Sequence, residues 1–304
     1  MRAAIVRSFT RSPRYEEFDD PVAADDEVVL KVVAAGLHPS VRACGRLATP
    51  FIPGSDGVGR MPGGSRVFFA GLEAPSGSMA ERAVVRAQDC VPIPDDVDDV
   101  TVAASVHPAM PAWLALRSAF EPGESVLVLG ATGNAGRMAV QIARLLGAGR
   151  VVAAGRNKAM LDRLLELGVD EVVALDRADE SAGQALADAA SDVDVVLDFL
   201  WGRPAEIALD SLAGGRRLRW VRAGTAAGAR MGRSVEALSD LGVEFSTVES
   251  RSLPPQERLA ELTALINRLP AADLTVHAVS IPLHAVESAW RADSTTGARI
   301  VLVP

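Results

Sequence analysis

Apolar and polar positions along the chain follow three rhythms in succession. From residue 1 to about 112, short alternating stretches such as Val28-Val29-Leu30-Lys31-Val32-Val33 are broken by proline and glycine, the pattern of strands joined by loops. From about 113 to 270, short apolar runs at 126–129, 151–154, 171–174, 194–199, 217–222 and 243–249 alternate with helix-periodic segments. Six such units predict a parallel sheet covered on both faces, a doubly wound α/β arrangement. Beyond Pro270 the strand rhythm returns at 275–280 and 299–303. Two β-rich ends around a βα block predict a discontinuous domain, 1–112 with 271–304, and an inserted domain, 113–270, with a ligand cleft between them. Beyond the βα alternation the sequence shows no internal repeat and no low-complexity tract.

One of these junctions carries chemistry. The run Val126-Leu127-Val128-Leu129 ends in Gly130-Ala131-Thr132-Gly133-Asn134-Ala135-Gly136, and 137–146 is helix-periodic. A buried strand, a glycine turn and a helix N-terminus together present free N–H groups and a positive dipole end to a pyrophosphate. Gly133 lets backbone approach the phosphates, and Gly136 lets helix pack on strand. Ala131 replaces the usual first glycine, so the reading rests on the strand-before, helix-after context. The next strand ends in Gly155-Arg156-Asn157-Lys158. An enzyme preferring NAD places a carboxylate there for the ribose 2′-hydroxyl. Two cations and no acid instead favour the 2′-phosphate of NADPH, with Asn157 also suited to cap the following helix.

Composition narrows the class. The 304 residues carry 31 basic and 39 acidic side chains, a net charge of −8, which gives no footing for nucleic acid or an anionic membrane. Cys44 and Cys90 are the only cysteines, too few for a disulfide framework or a four-cysteine zinc lobe. The opening residues lack the apolar core of a signal peptide, and no run is long enough to span a bilayer, so a cytoplasmic protein is expected.

Several segments together resemble the medium-chain dehydrogenase/reductase superfamily, in its zinc-independent quinone oxidoreductase branch. They are Met1-Arg2-Ala3-Ala4, Ala34-Ala35-Gly36-Leu37-His38-Pro39-Ser40, Pro53-Gly54-Ser55-Asp56-Gly57, Gly77-Ser78-Met79-Ala80-Glu81 and Pro111-Ala112-Trp113-Leu114-Ala115-Leu116. Further on come Gly130 to Gly136, Asp194-Val195-Val196-Leu197-Asp198 and Gly297-Ala298-Arg299-Ile300-Val301-Leu302. The resemblance implies a GroES-like β-rich catalytic domain, a Rossmann domain with a six-stranded parallel sheet, bound NADPH, and hydride delivery to quinones or activated C=C bonds. It also implies that Met110, Gly130, Thr132, Gly133, Asn134, Ala135, Gly136, Gly155, Arg156, Asn157, Lys158, Phe199, Leu200, Gly224 and Arg299 bind the cofactor. The rival class is a protein of the same fold that holds NADPH without redox turnover, a sensor or a non-redox biosynthetic cyclase.

Three departures from the branch stand out. The stretch between Asp56 and Arg66 is short, His38 replaces the asparagine of an Asn-Pro pair, and Ala43 and Cys44 lie where a tyrosine is common; Tyr15 is the only tyrosine. In zinc-dependent siblings three ligand positions match His38, Ser55 and His107, with Asp56 beside the second. A zinc-dependent alcohol dehydrogenase is thus a further alternative. Ser55 is a poor zinc ligand and Asp56 would have to swing in, so no metal is expected. Metal-free chemistry needs a donor for the charge that develops on the acceptor oxygen, and His38, Ser40 and His107 supply such groups; both histidines alternatively only shape His-Pro turns. Cys44 has no feature that lowers a thiol pKa. His277 and His284 read as surface or packing residues. The strand at 242–249, last in the sheet, should be an edge through which two chains join as a homodimer, unless a helix or loop covers it.

Overall fold

The computed structural model describes residues 1–304 except 43–47, 177, 215–216, 234, 249–251, 271–273, 275 and 293–296, and describes only the backbone at 40, 235 and 236. The chain forms two compact units, Met1–His107 with Pro255–Pro304, and Pro108–Pro254. These divisions fall earlier than 112 and 270. The second moves because helix α8 (Pro255–Ile266) packs on β7 (Val91–Pro92) of the first unit.

In the first unit β1 (Arg2–Ile5) and β2 (Arg14–Glu17) form an antiparallel ribbon. The remaining strands there are β3 (Glu27–Gly36), β4 (Asp56–Arg60), β5 (Arg66–Ala70), β6 (Arg82–Arg86), β7, β14 (Ala278–Pro282) and β15 (Arg299–Val303). They make a seven-stranded sheet in the order β14-β15-β3-β4-β5-β7, with β6 also paired to β3. The ten-residue β3 organises it: β6 pairs along its first half, β4 along its second half, and β15 at its end. The short stretch between Asp56 and Arg66 is a simple antiparallel hairpin of β4 and β5. Two short helices, α1 (Pro39–Arg42) and α9 (Val286–Arg291), complete this unit beside α8.

Helix α2 (Asp99–Ala119) spans the point where the units divide, and it corrects the expectation of β structure and loops up to 112. Val102, Ala103, Ala104, Val106, Ala109, Met110, Ala112 and Trp113 are all buried. A helix buried on every side shows no amphipathic period. Pro108 and Pro111 inside it also read as breakers.

The second unit holds β8 (Ser125–Leu129), β9 (Arg150–Gly155), β10 (Glu171–Ala174), β11 (Val195–Asp198), β12 (Leu218–Arg222) and β13 (Val243–Thr247) as one parallel sheet, ordered β10-β9-β8-β11-β12-β13. Each expected apolar run in this block is a strand. Between them run α3 (Asn134–Leu145), α4 (Lys158–Glu166), α5 (Asp179–Ala190), α6 (Gly202–Leu212) and α7 (Val235–Ser239). The central strands β8 and β11 are almost wholly buried, as a parallel sheet with both faces covered requires. Strand order reverses between β8 and β11, the kind of switch point at whose carboxyl ends ligands bind in open α/β sheets. Among the described residues no helix is long and apolar enough to cross a membrane.

Candidate active site

In the second unit, the chain leaves β8 through Gly130, whose φ of +87° only glycine adopts readily. The N–H groups of Gly130 and Ala131 donate to the carbonyl of Ala154 on the neighbouring strand, at 2.9 and 3.0 Å. A Cβ on Gly136 would lie 2.3 Å from Gly130 O and 2.6 Å from Ala131 Cα. The first turn of α3 is thereby pressed onto the strand end. At Gly133, the residue before the helix, a Cβ would meet only Gly130 O at an ordinary 3.4 Å. The protein itself does not demand glycine there, so the space above the helix N-terminus suits a phosphate cradle. Ala135 follows in this first turn, and the side chain of Asn134 is held by the guanidinium of Arg137.

Strand β9 ends beside this turn. A Cβ on Gly155 would fall 2.6 Å from Thr132 Cγ2, so the two residues interlock. Arg156 and Lys158 are exposed just beyond, and Asn157 caps α4 by accepting from the Met160 N–H at 3.1 Å. The ends of β11 and β12 close the other side. Leu200 contacts the space over Gly130, and a Cβ on Gly224 would meet Phe199 O at 2.8 Å. Sequence reasoning missed the residue that fixes this corner. Buried Asp198 accepts from the N–H groups of Leu200 and Trp201 at 2.8 and 2.9 Å and from Trp220 Nε1 at 3.3 Å, while burial holds its carboxyl above the usual range. Met110 is buried in α2.

The first unit assembles a second constellation from four segments distant in sequence. His38 and Asp56 are both only 1% exposed. His38 Nε2 lies 2.8 and 3.1 Å from the two carboxylate oxygens of Asp56, and the hydroxyl of Ser55 donates to the same carboxylate at 2.8 Å. His107 Nδ1 stands 3.2 Å from Asp56 Oδ1, and its ring stacks on that of His38 with centroids 3.7 Å apart. Its side chain is 43% exposed, so it is the member that reaches solvent. On the opposite edge of His38, the guanidinium of Arg299 contacts Nδ1. Burial pushes the Arg299 pKa down to about 10. The resemblance groups Arg299 with the cofactor residues; the structure places it against His38.

Register explains why these residues meet. Val301 pairs with Gly36 and Leu302 with Ala35; continued two residues, that antiparallel register sets Arg299 beside His38. Ala34 pairs with Val58, and the same continuation sets Asp56 beside Gly36. A Cβ on Gly36 would lie 3.0 Å from His38 Cε1 and 2.8 Å from Ala103 O. Glycine there leaves room for the imidazole to fold back toward Asp56 and for α2 to bring His107 close. Two expectations change. His107 lies inside α2 and shapes no His-Pro turn, and Asp56 already faces both imidazoles without swinging in. Ser40 lies in α1, with its side chain outside the described residues, as are Ala43 and Cys44. Tyr15 donates to Glu81 at 3.3 Å, and His277 and His284 are exposed.

One ligand atom each from His38, Asp56 and His107 lies within 4.8 Å of the others, the donor types of a zinc site with an open position. Only one of their spacings matches the ion: His107 Nδ1 and Asp56 Oδ1 stand 3.2 Å apart. Two ligands about 2.0–2.1 Å from a tetrahedral zinc stand about 3.3 Å apart, whereas His38 Nε2 and Asp56 Oδ1 are at 2.8 Å, a hydrogen bond.

Comparison with known proteins gives the following. A zinc-binding dehydrogenase family model matches residues 135–234. A "Probable NADPH-dependent quinone reductase" of Emericella nidulans is 28% identical, with both chains covered in full. The solved quinone oxidoreductase of Thermus thermophilus, described also in complex with NADPH, is 30% identical with a TM-score of 0.81, again over the whole of both chains. A trans-enoyl reductase of Aspergillus terreus is 26% identical over 59% of this chain and 58% of its own length.

The buried cluster yields a stability prediction. Removing the carboxylate in Asp56→Ala leaves the buried His38 Nε2 and the Ser55 hydroxyl without their shared acceptor, and leaving a buried polar group unpaired costs about 1–3 kcal/mol. Urea unfolding at neutral pH should show a loss of that order. A loss well below about 1 kcal/mol would mean that water or a shifted partner satisfies those groups in the variant.

Proposed function

The chain belongs to the quinone oxidoreductase-like branch of the medium-chain dehydrogenase/reductase family, and from that membership we propose that it reduces quinones or α,β-unsaturated carbonyls without zinc. It is an NADPH-dependent oxidoreductase of the quinone/enoyl type. The observation that carries the finer reading is the Asp56–His107 pair, a carboxylate orienting a half-exposed imidazole. When bound, NADPH supplies the hydride. The N-terminus of α3 and the glycines around it hold the phosphates, and Arg156 pairs with the 2′-phosphate. Hydride addition leaves negative charge on the acceptor's carbonyl oxygen. His107 donates Nδ1–H to Asp56 and, as an imidazolium, presents Nε2–H away from the carboxylate; that N–H polarises the oxygen and passes it its proton, leaving a neutral ring that takes a proton back from solvent. His38 is fully buried behind it and supports Asp56.

Assembly follows from the edge position of β13, whose Glu244, Ser246 and Thr247 are exposed while Val243 and Phe245 turn toward the core. The expected segment 242–249 begins at this strand, and residue 249 lies outside the described residues. Unpaired N–H and C=O groups along such an edge recruit a partner. A two-fold dimer joining two sheets through β13 is the reading this supports.

Three measurements test these readings. NADPH oxidation followed at 340 nm with a panel of quinones and enones should proceed in the wild type, and His107→Ala should lower kcat about 100-fold or more. Cofactor binding without turnover of any acceptor would instead favour the non-redox class. Titration of NADPH and NADH should give at least about tenfold tighter binding of NADPH, with the preference lost in Arg156→Ala; equal affinities would remove Arg156 from the role. Light scattering should report twice the chain mass of 31.8 kDa, and Phe245→Pro should give monomers by deleting a ladder donor. A monomeric wild type at tens of micromolar would mean the edge is not used.

A further inference from the structure

The chemistry above leaves one buried ion without a task. Arg299 is the only arginine in the buried set among the described residues, and its Nε has no hydrogen-bond partner. A guanidinium carries donors and no acceptor. The imidazole nitrogen that meets it must therefore offer a lone pair. That nitrogen is His38 Nδ1, so the single proton of the neutral ring sits on Nε2. From there it is donated to Asp56, in keeping with the 2.8 and 3.1 Å separations.

A metal ion needs the reverse arrangement. A ligating histidine presents its lone pair to the metal and donates its other N–H to an acceptor. Here the nitrogen that faces Asp56 carries the proton, and the opposite nitrogen faces a donor that cannot accept one. The guanidinium also places a positive charge against the ring that would bear the ion. In residue types the cluster is otherwise a metal-ligand set, two imidazoles and a carboxylate.

We infer that Arg299 is the residue that keeps the His38–Asp56–His107 triad from taking a divalent metal ion, by fixing His38 in its Nε2–H form. The metal-like triad thus meets a local veto, set by one side chain on β15. This inference does not rest on the reductase reading.

The test uses the full chain and two substitutions. Arg299→Gln removes the charge and offers an amide oxygen that accepts from Nδ1–H, whereas Arg299→Lys keeps a cationic donor. Zinc affinity is measured by competition with a chromophoric chelator, and the His38 tautomer by ¹⁵N-histidine NMR. Expected are Nε2–H and no stoichiometric zinc in the wild type and in Arg299→Lys. Arg299→Gln should hold one zinc per chain, about 10- to 100-fold tighter than wild type, and lose it when His38→Ala is added. A wild type that binds zinc as tightly as Arg299→Gln overturns the inference. So does a folded Arg299→Gln, judged by wild-type circular dichroism, that gains no affinity. If Arg299→Gln does not fold, the wild-type ring decides: Nε2–H supports the assignment and Nδ1–H overturns it. None of these readouts requires turnover, so a failure here is distinct from a failure of the proposed activity.

Discussion

A guanidinium and a carboxylate are each costly to bury alone, and in the first unit they face opposite edges of one imidazole. Arg299, His38 and Asp56 are each less than a twentieth exposed, and together they form a chain of hydrogen bonds in which the imidazole passes polarisation from cation to anion. The geometry of the unit follows from satisfying this chain. Strand β15 must lie against the end of β3, β4 must start where Asp56 reaches the ring, and Gly36 must lack a side chain so that the ring has somewhere to be. His107 is then held by a carboxylate already anchored from behind, which limits where its ring can sit.

The second unit solves its problem with backbone instead of side chains. Its turn between β8 and α3 is fixed by two N–H groups on the Ala154 carbonyl and by a glycine too close to that turn to carry a Cβ. Side chains enter mainly as spacers, such as Thr132 on Gly155 and Leu200 over Gly130. This is why the unit was largely legible in the sequence. Strand, glycine turn, helix and the cation-ended second strand are contiguous, and each is a local pattern with a local cause. Ala131 did not spoil the reading because that position packs inward, where a methyl is accommodated.

The cluster around His38 was legible as residue types and, through the resemblance, as a ligand-like set of His38, Ser55 and His107 with Asp56 beside it, but not as a hydrogen-bonded arrangement closed by Arg299. His38 and His107 stood out as chemical groups, but nothing in their neighbourhoods indicates that Asp56 faces both or that Arg299 closes the far side. Those facts belong to strand register across hundreds of residues, which has no local signal. Gly36 was a usable clue, since a glycine at the end of an apolar strand two residues before a histidine implies close approach. Helix α2 was missed for a different reason. Its apolar residues surround it, and two prolines mimic the punctuation of a loop.

The contact between Arg299 and His38 links residues 261 positions apart, and this has a consequence for the order in which the chain acquires structure. The second unit is a continuous segment, Pro108–Pro254, so every partner it needs has left the ribosome before β15 is made. The first unit is interrupted by that segment. Until β15 emerges, β3 lacks a neighbour at its end, and the Asp56 carboxylate and His38 ring have no cation behind them. During synthesis the nucleotide-binding half can therefore settle early, while the half that carries the histidines remains an open sheet that waits for its final strand.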